Sequence, residues 1–155
     1  MSKPVRVAVA LGSNLGDRRA HLDFGVSRLR SLLAHLRVST YRETEPVDVP
    51  DNQSRFLNGA AVGDAELTAR ALLVALLAIE RERGRERPFP GAARTLDLDL
   101  VLFGDLIADE PDLIVPHPRF RERRFVLEPL AEIAPEMRDP ATGLTAVELL
   151  ARASG

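Results

Sequence analysis

From Leu96 to Leu102 leucine takes every second place (Leu96, Leu98, Leu100, Leu102), and Gly104-Asp105 closes the run with a turn signal. Alternation at period two fits a β-strand. Side chains two apart on a strand share a face. The four leucines therefore make one apolar face. Thr95, Asp97 and Asp99 begin the other, which turns apolar again at Val101 and Phe103, so the far end is expected to be packed on both faces. Asp97 and Asp99 stand side by side, with α-carbons about 6.5–7 Å apart at about 3.3 Å of rise per residue. Two like charges this close on a half-buried strand raise each other's pKa and cost stability unless cations neutralise them. Two readings stay open on the pair alone. It is either two solvated aspartates on an exposed face, or a carboxylate pair holding Mg²⁺ with water and phosphate oxygens in the remaining positions.

Arginine supplies the nearby cations. Of the 21 basic residues 20 are arginine, and Lys3 is the only lysine. The phosphate-loop motif GxxxxGK[ST] is absent, so any phosphate must be handled by the planar forks of arginine. Arg85, Arg87 and Arg94 flank the aspartate pair across the loop Pro88-Phe89-Pro90-Gly91-Ala92-Ala93. His117 sits between Pro116 and Pro118, which restrain its backbone, and Arg119, Arg121, Arg123 and Arg124 follow. This second cluster reads either as a surface turn or as a second phosphate clamp.

The class of chain follows from a few global features. Its 155 residues are expected to form one domain, 1–155, with a real core. A net charge of -2 argues against nucleic-acid or membrane-surface binding. With no cysteine there is no thiol chemistry. The longest apolar run, Ala71 to Ile79, is too short to span a bilayer. No signal peptide is read at the start, and a cytoplasmic location is expected.

Other elements are expected in order. A strand from Val5 to Leu11 leads through a turn at Gly12-Ser13-Asn14-Leu15-Gly16-Asp17 into a helix that runs to about His35. Asp17 is its expected N-cap, and Leu22, Val26, Leu29 and Leu33 its buried stripe. A strand from Arg37 to Arg42 precedes a loop from Glu43 to Arg55, long enough to suggest function. A strand from Phe56 to Val62 carries Asn58, a polar residue in an apolar run. It is either an exposed edge position or a donor–acceptor pair for a ligand's edge. A helix from Glu66 to about Arg83, apolar almost all round, is expected to be buried against a sheet. The charged run from Glu80 reads as a solvated helix end. A short helix or turn is expected over Val126–Ala134, and a last helix over Thr145–Ala153.

Two carboxylates for metal, several arginines, one histidine and no lysine nearby describe a nucleotide phosphate site. The elements Gly12-Ser13-Asn14-Leu15, Phe56-Leu57-Asn58, Arg94-Thr95-Leu96-Asp97-Leu98-Asp99, Pro116-His117-Pro118-Arg119 and Arg123-Arg124-Phe125-Val126-Leu127-Glu128-Pro129-Leu130 closely resemble those of the 6-hydroxymethyl-7,8-dihydropterin pyrophosphokinases of folate biosynthesis. The resemblance runs from Val5 to about Glu136. It implies a ferredoxin-like α+β fold, with a mainly antiparallel sheet and helices packed on its faces. It implies transfer of pyrophosphate from ATP, the co-substrate, to the pterin hydroxymethyl group, with AMP released. By the same resemblance, two Mg²⁺ ions are held by Asp97 and Asp99. Arg85 and Arg94 act with these aspartates in catalysis, on the triphosphate and the reacting phosphoryl groups. Arg87, His117 and Arg123 make further ATP contacts, and Glu80 lies near the adenine. Phe56 and Phe125 sandwich the pterin, Asn58 reads its edge, and Thr44 and Val47 meet it through backbone, with Gly12 close by. Gly91-Ala92-Ala93 stands where relatives often carry a tryptophan. The segment from Arg85 to Ala93 is expected to close when both substrates are bound. A monomer is expected, acting on small molecules, with no nucleic-acid or membrane partner.

Two other classes compete with this reading. A ferredoxin-like module that senses a nucleotide without turning it over leaves the aspartate pair unexplained. An RNA-binding module is opposed by the net charge and by only 5% aromatic residues.

Overall fold

The computed structural model describes residues 3–44, 55–84 and 95–153. The main sheet is built from β1 (Val5–Ser13), β2 (Ala34–Val38), β3 (Arg42–Thr44), β4 (Phe56–Ala65) and β5 (Asp97–Phe103). Helix α1 (Arg18–Leu32) joins β1 to β2, and α2 (Ala69–Glu82) follows β4. The strands lie in the order β2-β4-β1-β5, with β3 continuing beside β4, and every pairing is antiparallel. Because β4 inserts between β1 and β2, the two strands joined by α1 are not neighbours. This is the split βαβ arrangement of ferredoxin-like folds. A hairpin of β6 (Ala108–Glu110) and β7 (Leu113–Val115) follows β5. Then come a 3₁₀ turn at Phe120–Glu122, α3 (Arg124–Ile133) and α4 (Ala146–Arg152). The expected α+β class and antiparallel sheet are both present.

The sheet separates two apolar layers. On one side Val7, Val9 and Leu11 of β1 pack with Leu22 and Leu29 of α1 and Leu72, Leu76 and Ile79 of α2. On the other, Ala8, Ala10, Ala60 and Val62 pack with Phe120, Val126, Leu127 and Leu130. Each large apolar side chain so buried contributes about 1.5–3 kcal/mol relative to exposure. Small residues on β1 and β4 at the second layer let α3 lie close to the strands. Among the described residues no helix is long and apolar enough to cross a membrane.

Several boundaries differ from the expectation for physical reasons. β1 continues through Gly12 and Ser13, because these pair with Asn58 and Leu57. The Asp17 cap is present, its carboxylate accepting from the Ala20 N–H at 3.1 Å. Helix α1 stops at Leu32, not near His35, which has a left-handed φ of 54° and belongs to β2. The expected strand from Arg37 to Arg42 is replaced by β2, which ends at Val38, and by β3, which begins at Arg42. In α2 the apolar character does not mean burial all round. Leu72, Leu76 and Ile79 are buried, whereas Val74 is 63% exposed and Leu77 40%.

The alternation of β5 breaks once. Leu98, Leu100 and Phe103 face the α1/α2 layer, and Val101 and Leu102 face the α3 layer. The register explains it: Val9 pairs with Leu100 and Ala8 with Leu102, leaving Val101 as the extra residue of a bulge. Leu102 and Phe103 therefore exchange the faces that strict alternation assigns them. Asp97 and Asp99 lie before the bulge and keep theirs.

Candidate active site

The open end of the sheet, beyond the Ala10 level, carries the candidate residues. One row of register partners crosses four strands: Arg42 of β3, Asn58 of β4, Gly12 of β1 and Asp97 of β5. Partners in register point to the same face. The next row toward the sheet centre has Ala60, Ala10 and Asp99. Asp97 and Asp99 thus stand on the α3 face of the sheet, together with Asn58. Phe56, two residues before Asn58 on β4, shares that face. Asp97 is buried and Asp99 half-buried.

Gly12 leaves a gap in this row. A β-carbon there would lie 3.2 Å from Asn58 Oδ1 and 3.8 Å from Phe56 Cδ1. The floor between the Asn58 amide and the Asp97 carboxylate is bare backbone. Asn58 itself is buried, and its Nδ2 donates to Thr44 Oγ1 at 2.6 Å. That bond orients the amide and directs Oδ1 toward Gly12. Thr44 is the register partner of Phe56, so Thr44, Phe56 and Asn58 form one polar-and-aromatic corner. Thr44 contributes its hydroxyl here, in addition to the backbone role the sequence suggested.

On the other side of the aspartates lies a cleft of about 210 Å³ along the edge of β5 that faces away from β1. It is lined by Leu73, Leu77 and Glu80 of α2, by Leu113, Ile114 and His117, and by Asp97 to Leu100 of β5. Glu80 is not part of a solvated helix end. It is 3% exposed, and its Oε2 accepts from the Leu98 backbone N–H at 2.7 Å. A helix carboxylate thereby covers a donor of an edge strand. The apolar lining from Leu73, Leu77, Leu113 and Ile114 escaped the sequence reading, which took the α2 leucines as core. The one available signal was Glu80, a charge set directly after the apolar run of α2.

His117 is fixed from two directions. Its backbone N–H donates to Val101 O at 2.9 Å, and its Nδ1 accepts from the Arg119 N–H at 3.2 Å. Burial first, and then the charges of Arg123 and Arg119, push its pKa below the ordinary histidine value. The ring is therefore neutral at pH 7, with its proton on Nε2. Past it, the Arg123 guanidinium lies over the Phe125 ring, 5.5 Å from the centroid. Phe125 is half-buried, packed against the α3 layer.

The structure thus brings together Asp97, Asp99, Glu80 and His117 around the cleft, and Thr44, Phe56 and Asn58 around Gly12. Arg123 and Phe125 stand at the start of α3, the helix that covers this face. Val47, Arg85, Arg87 and Arg94 lie outside the described residues, as does the segment expected to close. Among the described residues no three His, Cys, Asp or Glu side chains are grouped to hold a metal. Among the described residues the candidate oxygen donors are Asp97 and Asp99. Two hard oxygen donors suit Mg²⁺, which retains several waters and takes phosphate oxygens in place of a full protein cage.

A 7,8-dihydro-6-hydroxymethylpterin-pyrophosphokinase (HPPK) family model matches residues 8–135. A 2-amino-4-hydroxy-6-hydroxymethyldihydropteridine pyrophosphokinase of Pseudomonas aeruginosa is 44% identical over 148 residues, covering 94% of this chain and 90% of the relative. The Bacillus subtilis protein of the same name is 43% identical over 136 residues, 86% of this chain and 81% of its own. Among solved structures, wild-type Plasmodium falciparum HPPK-DHPS matches with a TM-score of 0.74 over 98% of this chain at 14% identity, a likeness of fold. This chain spans 45% of that longer one. On the family model and the two bacterial relatives, this chain belongs to the 7,8-dihydro-6-hydroxymethylpterin-pyrophosphokinase family.

Proposed function

We infer that this chain, acting as one domain, carries out its family's reaction in folate biosynthesis: pyrophosphate passes from ATP to the hydroxymethyl group of 6-hydroxymethyl-7,8-dihydropterin. The hydroxymethyl oxygen bonds to the β-phosphorus as the bond to the α,β-bridging oxygen breaks, and AMP leaves. The observation that carries the reading is the row Asn58–Gly12–Asp97. It sets a hydrogen-bonding amide and a carboxylate pair on one face with only glycine between them.

Each residue has a task in this reading. Asn58 Oδ1 accepts from the pterin edge, with its amide oriented by Thr44. Phe56 and Phe125 supply aromatic faces for a flat ring. The nucleotide base enters the apolar cleft between α2 and β7, next to Glu80. His117 donates from Nε2 to a nucleotide oxygen, and Arg123 adds charge beside it. Asp97 and Asp99 hold two Mg²⁺ ions, which neutralise phosphate charge when bound. Arg85, Arg87 and Arg94 are assigned to the phosphates, and Val47 to the pterin, on their match to the family pattern.

Incubation with ATP, Mg²⁺ and the hydroxymethyl dihydropterin, followed by nucleotide analysis, tests the reading. AMP and the pterin diphosphate are expected in equal amounts. ADP would mean an ordinary kinase, and no turnover would favour a nucleotide sensor.

A further inference from the structure

Strand β3 is three residues long and, among the described residues, pairs with β4 alone, through Arg42–Asn58, Glu43–Leu57 and Thr44–Phe56. A ladder that short is marginal by itself. It is pinned from both sides of the sheet. Side chains alternate along it, so Arg42 and Thr44 project toward α3 and Glu43 toward α1. On the α3 side, Arg42 Nη2 donates to Glu132 Oε1 at 2.9 Å. On the α1 side, Glu43 accepts from Nη2 of Arg18, the first residue of α1. The same guanidinium donates through Nη1 to the Arg55 carbonyl at 2.7 Å.

Arg18 therefore grips both strands where the ladder ends. Glu43 precedes Thr44, and Arg55 precedes Phe56. Those two neighbours form the rung that orients Asn58 and places an aromatic ring beside Gly12. The arginine does not serve its own helix. A cation in the first turn opposes the helix dipole, which the Asp17 cap already complements. Its placement is accounted for by what it holds, Glu43 of β3 and the carbonyl of Arg55 just before β4.

We propose that Arg18 is a positioning residue for the pterin: its fork sets where Thr44, the Asn58 amide and the Phe56 ring stand, and so sets pterin affinity without touching the nucleotide. This rests on the assignment of that corner to the pterin. The cost of losing Arg18 falls on geometry more than on the fold, because a single exposed ion pair contributes little to global stability. Lysine is a poor substitute, since one ammonium lacks the planar fork that reaches a carboxylate and a carbonyl together.

The test uses Arg18→Ala and Arg18→Lys in the full chain. Calorimetry with 6-hydroxymethyl-7,8-dihydropterin, and separately with α,β-methylene-ATP and Mg²⁺, gives both affinities. Pterin binding is expected to weaken about threefold to tenfold in Arg18→Ala, the size of one exposed ion pair and one hydrogen bond. Arg18→Lys should recover part of this, and nucleotide affinity should stay unchanged in both. In the ligand-free protein, amide hydrogen exchange across the hydrogen-bonded pairs of the β3–β4 ladder should rise in Arg18→Ala, with β1 and β5 unaffected. Unchanged pterin affinity, equal losses for both ligands, or unchanged exchange in that ladder would each overturn the proposal. Failure of the unsubstituted protein to bind pterin would instead refute the reading of the corner, and the exchange result would still decide whether Arg18 holds the rung.

Discussion

Asn58 and Asp97 face each other across Gly12, each its register partner, two strand spacings or about 9.5 Å apart at the α-carbons. One end of this span accepts hydrogen bonds and the other carries negative charge. A flat ligand lying over the glycine would meet the amide at one edge and point its far end at the carboxylates. On the proposed reading, this row would set the direction in which the substrate lies.

Gly12→Ala tests that span. The added methyl group would sit 3.2 Å from Asn58 Oδ1, tight enough that the amide must shift. Overpacking of this kind costs about 1–3 kcal/mol. Here the cost should appear as a pterin affinity roughly tenfold or more weaker, at 1.4 kcal/mol per tenfold. The melting temperature should fall by about 2–12 °C, at about 2–4 °C per kcal/mol for a chain of this size. Titration of the variant with pterin and then with nucleotide checks it, and an unchanged pterin affinity would show that the gap is not used.

Asp97→Asn and Asp99→Asn keep the side-chain shape while removing charge and one acceptor oxygen. If the pair holds metal, loss of several kcal/mol of charge stabilisation lowers AMP formation by about a thousandfold or more. Folding should be little altered, because neither change empties the core. Rates of AMP formation over a Mg²⁺ series, with circular dichroism as the control for folding, measure both. Full activity in either variant would remove the metal role.

How much of this was legible beforehand depends on the range of the interaction. The two faces of β5 were readable near Asp97 and Asp99, because alternation is local. The exchange of Leu102 and Phe103 was not, since a bulge exists only relative to β1 and a single strand's pattern carries no trace of its partner's register. The exposure of Val74 and Leu77 was hidden for the same reason: composition says that α2 is apolar, but not that β7 covers only part of it. Asn58 and His117 stood out as polar residues in unusual settings. The grip of Arg18 on Glu43 and Arg55 joins residues 25 and 37 positions apart and had no local mark.

Phe125→Ala should weaken pterin binding by about 1–3 kcal/mol through lost stacking and apolar contact. Because Phe125 also packs against the α3 layer, some loss of stability will accompany it. Phe125→Leu separates the two effects. It keeps most of the packing and should restore stability while leaving the stacking deficit. Equal losses for pterin and nucleotide would mean that Phe125 acts only as core.

The arginine-rich turn between His117 and α3 has its own anchor. Arg121 donates through Nε at 2.5 Å and Nη2 at 2.9 Å to the two oxygens of Asp139, whose side chain is fully buried. Burial alone would raise the Asp139 pKa. The contacts of Arg121, with the Thr142 hydroxyl and the Ala141 N–H, outweigh it and bring the value down to about 2. A carboxyl depressed in the folded state from 3.8 stabilises the protein fully above that value, and the contribution is lost as pH falls from about 4 toward 2. The depression corresponds to about 2 kcal/mol. Asp139→Asn should therefore lower the urea unfolding free energy by about 2–4 kcal/mol at pH 7, the upper part reflecting the guanidinium left without its charge partner. The gap between variant and parent should narrow below pH 4, where the parent loses the same interaction by protonation. Urea melts at pH 7 and pH 3 measure this directly, and a gap that stays constant between the two would show that Asp139 is not the titrating anchor of the turn.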